Sequence, residues 1–281
     1  MTSMVRTPER LRAHYKVERR LADRLRRAPD AEARRRIFAT MYDDLFREVP
    51  DHPRLLARRD AAAERARDIG WDLAQLRPYL QPGCTFLEIG AGDCALSARV
   101  AEGAAHVYAV DISDQAAGKL PANVSFVLSD GTSVPVPPGS VDVAFSDQLM
   151  EHLHPDDAAE QLANIHRSLV PGGRYVCFTP NRLSGPHDVS SYFDDVARGF
   201  HLREYSARDI RSEFRRAGFV DVRFYAVAGR RIAECPYWLL AALEESLELL
   251  PRRLRRAVAD TRYLRALLGL RVVATKGGDR R

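Results

Sequence analysis

Three stretches near the start of the chain, residues 6–27, 31–48 and 53–80, carry apolar side chains at helical spacing. The second is the clearest. Ile37, Phe38, Met41, Tyr42, Leu45, Phe46 and Val49 recur at i, i+1, i+4 and i+5, which predicts a helix with one broad apolar face. From Cys84 the pattern changes to short apolar runs that alternate with helical segments. Strands are predicted near 84–89, 106–111, 124–128, 141–146 and 173–179, with helices near 93–103, 156–169 and 206–217. That rhythm implies a parallel sheet with helices on both faces. "PGG" at 171–173 marks the last passage from helix to strand, and a further strand is predicted near 219–228. A helical, Arg- and Leu-rich segment follows over 230–268, and "LRVVATKG" at 270–277 reads as a final short strand. Four regions result: a helical extension over 1–80, an α/β core over 81–229, a helical insertion over 230–268, and a last strand with a basic tail over 269–281.

The 281 residues, 46% of them hydrophobic, suffice for a sizeable buried core. The longest apolar run, "YWLLAAL" at 237–243, is far too short to cross a membrane, and the amino terminus has no signal-peptide core, so a cytoplasmic protein is expected. Cys84, Cys94, Cys177 and Cys235 are widely spaced and read as buried free thiols, without a disulfide framework or a structural metal. Charge is uneven. Residues 1–36 hold 12 Lys/Arg against 5 Asp/Glu, and residues 251–281 hold 10 against 2, so basic ends flank an acidic middle. Such ends can mark nucleic acid or a membrane surface. They also carry helical apolar spacing, so solvated faces of packed helices explain them as well, and nucleic acid is not expected as a partner.

The chemistry concentrates in "TFLEIGAGDCALS", residues 85–97, where an apolar run breaks into glycines and then turns helical. Gly90, Gly92 and Ala95 fit G-x-G-x-x-G/A, the signature of a nucleotide-binding strand-to-helix turn. Asp111, at the end of "VYAVD" about twenty positions on, suits a ribose diol. Glu88 discriminates between nucleotides. A carboxylate two residues before the first glycine would repel a pyrophosphate, whereas a cofactor with an α-amino group and a sulfonium would be attracted to it. Asp130 in "FVLSDG" ends the third strand, where an acid can accept from an adenine amino group. The fourth strand runs into "SDQLMEHLHPDD" at the same edge.

On these elements the sequence resembles the class I S-adenosylmethionine-dependent methyltransferases. It is most similar to the broad type-11 group that includes the ubiquinone/menaquinone C-methyltransferases and many sugar and natural-product O-methyltransferases. "LEIGAGDCALS", "VYAVDIS", "VLSDGTSVPVPPGSVDVAFSDQLMEHLHPDD", "LVPGGRYVCFTPN" and "HLREYSARDIRSEFRRAGF" carry the resemblance, in the family's order, over residues 84–220. It implies a Rossmann-like fold, a mostly parallel seven-stranded sheet with helices on both faces, and S-adenosyl-L-methionine as cofactor. It further implies that Glu88, Gly90 and Gly92 shape the methionine end, that Asp111 holds the ribose with Ile112 beside it, and that Asp130 with Gly131 takes the adenine. Asp147 and Gln148 would floor the site near the methyl group. Asp93-Cys94 stands where many family members carry a third glycine.

Methyl transfer from a sulfonium is an in-line displacement, and a hydroxyl acceptor must also lose a proton. Histidine suits that task at neutral pH. His152 in "EHLHPDD" falls just past the fourth strand and resembles a position that serves as base or substrate orienter in related O-methyltransferases. His201 in "GFHLREY" lies in a segment that related enzymes use beside the acceptor, and His187 is a third candidate. His154 reads as a loop cap and Asp156 as the cap of the next helix. The amino-terminal helices and the 230–268 insertion would fold over the site, with Tyr237, Trp238 and Leu239 as candidate pocket residues. The spacing of His152, His154, Asp156 and Asp157 is no recognised metal site, and no metal is expected. The reading is an O-methyltransferase acting on a small-molecule or glycan hydroxyl, with a homodimer allowed for. The alternatives are a methyltransferase acting on RNA or a lipid-linked quinone, and a non-catalytic cofactor-binding scaffold.

Overall fold

A computed structural model describes residues 6–53, 62–113, 119–228 and 231–278. Residues 54–61 of the helix expected over 53–80, residues 229–230, and 279–281 of the basic tail lie outside that set. Thr7 accepts a hydrogen bond from the Arg10 N–H and, with Pro8 behind it, opens α1 (Pro8–Arg26). Asp30 does the same for α2 (Ala31–Glu48) through the Ala33 N–H. Such caps satisfy donors that the first helical turn leaves unpaired. Next come α3 (Ala62–Leu76), β1 (Thr85–Ile89), α4 (Ala95–Val100), β2 (His106–Asp111), β3 (Val124–Leu128) and β4 (Val141–Asp147). The second half holds α5 (Pro155–Ser168), β5 (Leu169–Thr179), α6 (Ala207–Arg216), β6 (Phe219–Ala228), β7 (Arg231–Cys235), α7 (Tyr237–Glu248), α8 (Arg252–Ala259), α9 (Arg262–Leu268) and β8 (Leu270–Lys276).

The strands form one sheet in the order β3-β2-β1-β4-β5-β8-β6-β7. The five from β3 to β5 run parallel, while β8 is antiparallel to both β5 and β6 and β7 closes a hairpin with β6. Helices cover both faces. Leu162, Ile165, Phe214 and Leu268 pack on one face with Leu87 and Tyr175; Leu76, Leu96 and Val100 pack on the other with Phe86 and Phe145. A third core joins α1 to α2 through Leu21, Leu25, Met41 and Leu45, and it includes Phe200 from the long connection after β5.

Three expectations need correction. The sheet has eight strands rather than seven, because β7 lies inside the segment expected to be wholly helical. β7 is a short edge strand with Ile232 exposed, so no apolar run marks it in the sequence. "PGG" does not precede β5 but bulges from it: Val141 pairs with Leu169 and Val143 already with Arg174. His154, not Asp156, caps α5, its Nδ1 accepting from the Asp156 N–H, and Pro155 takes the first helical position.

Candidate functional site

Open α/β sheets bind ligands beyond the carboxyl ends of their strands. Here that edge opens into a cleft of about 620 Å³, floored by the ends of β1 to β4 and roofed by α2. The floor begins at the glycine turn. Gly90 and Gly92 both take left-handed backbone conformations, φ +78° and +56°, which glycine adopts without a side-chain clash. The Gly90 N–H donates to the Val110 carbonyl, which ties the turn to β2. The Gly92 N–H donates to Asp111 Oδ2 at 2.7 Å, and Asp111 Oδ1 accepts from the Ser113 N–H at 3.2 Å. Asp111 is therefore held rigidly where β2 ends, facing the cleft with Ile112.

At the β3 end Gly131, with φ +95°, lies so close beneath α2 that a Cβ there would meet the Phe38 ring at 3.5 Å. Gln161 of α5 donates to the Gly131 carbonyl at 2.7 Å and fixes the turn. At the β4 end Asp147 and Gln148 face the cleft. Gln148 holds φ +48°, uncommon for a residue with a side chain, and its N–H donates to the Phe178 carbonyl at 2.9 Å. Such strain clusters at functional sites. Surrounding protein raises the Asp147 carboxyl although its tip meets the cleft.

Glu88, Asp130 and His201, singled out from sequence, do not line this cleft, and neither do His187, Tyr237, Trp238 and Leu239. Glu88 is buried beneath the turn, accepting from Ser97 Oγ at 2.5 Å, and burial pushes its carboxyl up to about 8. Asp130 turns away. Burial works against its charge, but the Ser133 and Thr132 N–H groups donate to Oδ1 and hold the carboxyl down at about 2, while Oδ2 lies 3.0 Å from Arg35 Nε on α2. His201 sits behind His152, the two rings edge to face with centroids 4.9 Å apart.

His152 does line the cleft. It is buried, and its Nδ1 lies 3.0 Å from the Phe200 carbonyl, an obligate acceptor, so that nitrogen carries the proton and the basic lone pair falls on Nε2. His201 Nδ1 pairs with Glu204 Oε1 at 2.7 Å. Burial opposes the His201 charge, but Glu204, Glu151 and Asp188 outweigh it and raise the imidazole. Glu151 is fully buried, takes the Thr179 hydroxyl on Oε2 at 2.9 Å, and rises to about 7 through burial. His187 is exposed, its Nδ1 3.4 Å from the same Glu204 oxygen. Glu151, His152 and His201 each offer a ligand atom within 4.8 Å of the others, as do His14, Glu18 and His52 at the base of α1. In both groups the side chains are engaged by protein: His14 stands between Arg6 and Glu18, and His201 is held by Glu204.

Sequence reasoning placed the amino-terminal helices over the site but named none of the residues that roof it. Phe38, Tyr42 and Phe46, at i, i+4 and i+8 on α2, line the cleft with Asp43. Their periodicity was visible, but periodicity alone does not separate a core face from a ligand face. The 230–268 segment contributes nothing to the cleft among the described residues. Its α7 docks against the start of α6, where buried Glu244 accepts from the Ala207 N–H at 2.8 Å, and Trp238 is 70% exposed. The long 181–201 connection instead clamps α1 to the core, with Arg26 of α1 donating to the carbonyls of Arg198, Gly199 and His201.

The donor set suits a cationic nucleoside. Asp111 offers a carboxylate at the end of β2, and Ile112, Phe38 and Leu128 line the cleft with it. Burial raises the carboxyls of Glu88, Asp72 and Asp147, with Arg271 as the cation beside Asp72 and Asp147, so added positive charge would favour their ionised forms.

Residues 87–177 match the methyltransferase-domain family of the type-11 group. A Mycolicibacterium smegmatis protein named "Probable S-adenosylmethionine-dependent methyltransferase" is 28% identical over 190 residues, 66% of this chain and 69% of that protein. A Mycobacterium tuberculosis protein named in the same way is 33% identical over 149 residues, about half of each chain at 51% and 52%. A phosphoethanolamine N-methyltransferase of Triticum aestivum is 32% identical over 132 residues, 41% of this chain and 26% of that protein. Among solved structures, a chain of the Haloferax volcanii complex between the Trm112 methyltransferase activator and a methyltransferase superposes with a TM-score of 0.52 at 20% identity, covering 77% of this chain and 96% of that one. The fold is thus shared. The chain carries a type-11 methyltransferase domain of the class I S-adenosylmethionine-dependent methyltransferases, with S-adenosyl-L-methionine as its cofactor.

Proposed function

We propose that the cleft methylates a hydroxyl of a small-molecule or sugar acceptor, with His152 as general base. One observation carries the reading: a buried imidazole lines the cofactor cleft with its tautomer set by the Phe200 carbonyl, which leaves a basic Nε2. S-adenosylmethionine, when bound, supplies an electrophilic sulfonium methyl. Gly90, Gly92, Asp111, Ile112, Gly131, Asp147 and Gln148 are the residues proposed to hold it, with Glu88 and Asp130 supporting their turns from behind. His152 takes the hydroxyl proton on Nε2 as the acceptor oxygen becomes nucleophilic, and α2 excludes water with Phe38, Tyr42 and Phe46. The domain organisation follows: α1 and α2 form the cap, and the 230–268 segment is a buttress.

A nitrogen acceptor is the second reading, favoured by the likeness to the wheat phosphoethanolamine N-methyltransferase. An amine that binds uncharged needs less help from an enzymic base. His152→Ala separates the two. For a hydroxyl acceptor, turnover falls ~10²–10⁴-fold while S-adenosylhomocysteine affinity, measured by calorimetry, is retained. Undiminished turnover would remove both the base and the hydroxyl assignment.

A further inference from the structure

The two basic ends of the chain, far apart in sequence, meet on either side of one turn. Residues 188–198 touch α1 on one flank, where Tyr15 stacks on Phe193 at 4.8 Å and donates its hydroxyl to Asp194. On the other flank they touch α8, where Arg252 Nη1 lies 3.2 Å from Asp195 and Arg256 donates to the Ser191 carbonyl at 3.3 Å. Along α1 a groove of about 860 Å³ is lined by Arg12, Lys16, Arg19, Arg20, Arg24 and Arg27. Its two acids are already used: Asp23 pairs with Arg26, and Asp194 takes the Tyr15 hydroxyl. Arg20 and Arg24 have carboxylate partners in α2, but among the described residues no carboxylate lies within ion-pair distance of Arg12, Lys16, Arg19 or Arg27. Arg253 on α8 is likewise exposed.

Apolar side chains stand in the same place. Tyr192 is 66% exposed and Val196 44% on the turn, and Leu249, three residues ahead of Arg252, is 87% exposed. Cations alone would suit any polyanion. Val196 and Leu249, aliphatic side chains at the junction of two basic helices, gain nothing from phosphates or from stacking on bases, but they gain from entering the acyl boundary of a bilayer beneath a negative surface, where a tyrosine also sits well.

We propose that α1, the 188–198 turn and α8 form a docking face for an anionic lipid surface. The cations set the attraction, and Tyr192, Val196 and Leu249 supply the part that enters the interface. The face lies apart from the residues lining the cofactor cleft and does not depend on the identity of the acceptor.

Sedimentation of the full chain with phosphatidylcholine vesicles, with and without phosphatidylglycerol, tests it. Binding is expected only with the anionic lipid and should weaken as salt rises. Neutralising the exposed cations in Lys16→Gln/Arg27→Gln/Arg253→Gln should lower affinity roughly fivefold per cation. Tyr192→Ser/Leu249→Ser should also lower it while leaving S-adenosylhomocysteine affinity unchanged, which shows that the variant is folded. Absence of binding to anionic vesicles overturns the proposal. So does bulk tRNA binding that exceeds vesicle binding and is indifferent to the Tyr192/Leu249 change, because the face would then read nucleic acid.

Discussion

His152 faces the cleft, but the charge behind it is set by its neighbours. Glu204 accepts from His201 Nδ1 and from the His187 N–H, both at 2.7 Å; burial opposes its charge, yet those partners hold it down at about 2. His201 is raised at the same time. A lowered acid contributes stability above its unfolded pKa and loses it as pH falls from there toward the folded value. A raised imidazole contributes below its unfolded pKa and loses it as pH climbs through the raised value. The Glu204–His201 pair thus stabilises most from just above the ordinary glutamate range up to the ordinary imidazole value, and its contribution fades as pH climbs from there through the raised His201 value. Glu204→Gln should lower unfolding free energy most in that window and least at its two ends, as denaturant titrations across pH would show. It should also lower the His201 pKa seen by NMR. A stability loss equal at every pH would make the pair a packing contact only.

The strand edges were legible in the sequence because parallel strands buried on both faces are short apolar runs bounded by turns, as in "FLEI" and "HVYAVD". The glycine turn and the carboxylate after β2 were legible for the same local reason: they are properties of one βα unit. Glu88 and Asp130 were not, because which way a carboxylate turns depends on Ser97 and on the N–H groups of residues 132 and 133, and spacing does not encode that. The burial of Glu88 has a consequence at the scale of β1, α3 and β4. Glu88 rises to about 8 and Asp72 to about 7, each through burial first, and Asp147 is also raised. A cationic ligand would stabilise their charged forms, so binding it should release protons. Affinity for S-adenosylmethionine should therefore increase with pH from about 6 to about 8, by up to tenfold per unit for each proton released. Calorimetry in buffers of different ionisation enthalpy reads that release directly; proton uptake, or none, would detach these acids from the cofactor. Glu88→Gln should reduce the number released.

At the scale of the whole molecule, the least legible feature was how the amino-terminal helices sit on the core. The contacts that fix them join residues more than a hundred positions apart. Arg34 of α2 reaches Asp157 of α5, its Nε donating to Oδ1 and Oδ2 at 2.9 and 2.8 Å and its Nη2 to Oδ1 at 2.6 Å. Both side chains are buried. Four residues further along α2, Phe38 closes over Gly131, so the ion pair and the roof of the cleft share one helix. Removing one partner of a buried pair leaves the other charge stranded, at a cost on the order of 3–5 kcal/mol, whereas replacing both with apolar residues of similar volume is often neutral. Arg34→Ala should therefore lower the melting temperature and weaken cofactor binding together, with hydrogen exchange in α2 accelerated more than in β1 or β4. Arg34→Met/Asp157→Leu should recover the melting temperature and the slow exchange of α2. If the double variant were as unstable as the single one, packing around these side chains rather than the stranded carboxylate would set the cost. If cofactor affinity were unchanged while α2 exchanged freely, the roof would be dispensable for holding the nucleoside, and α2 would serve the acceptor alone.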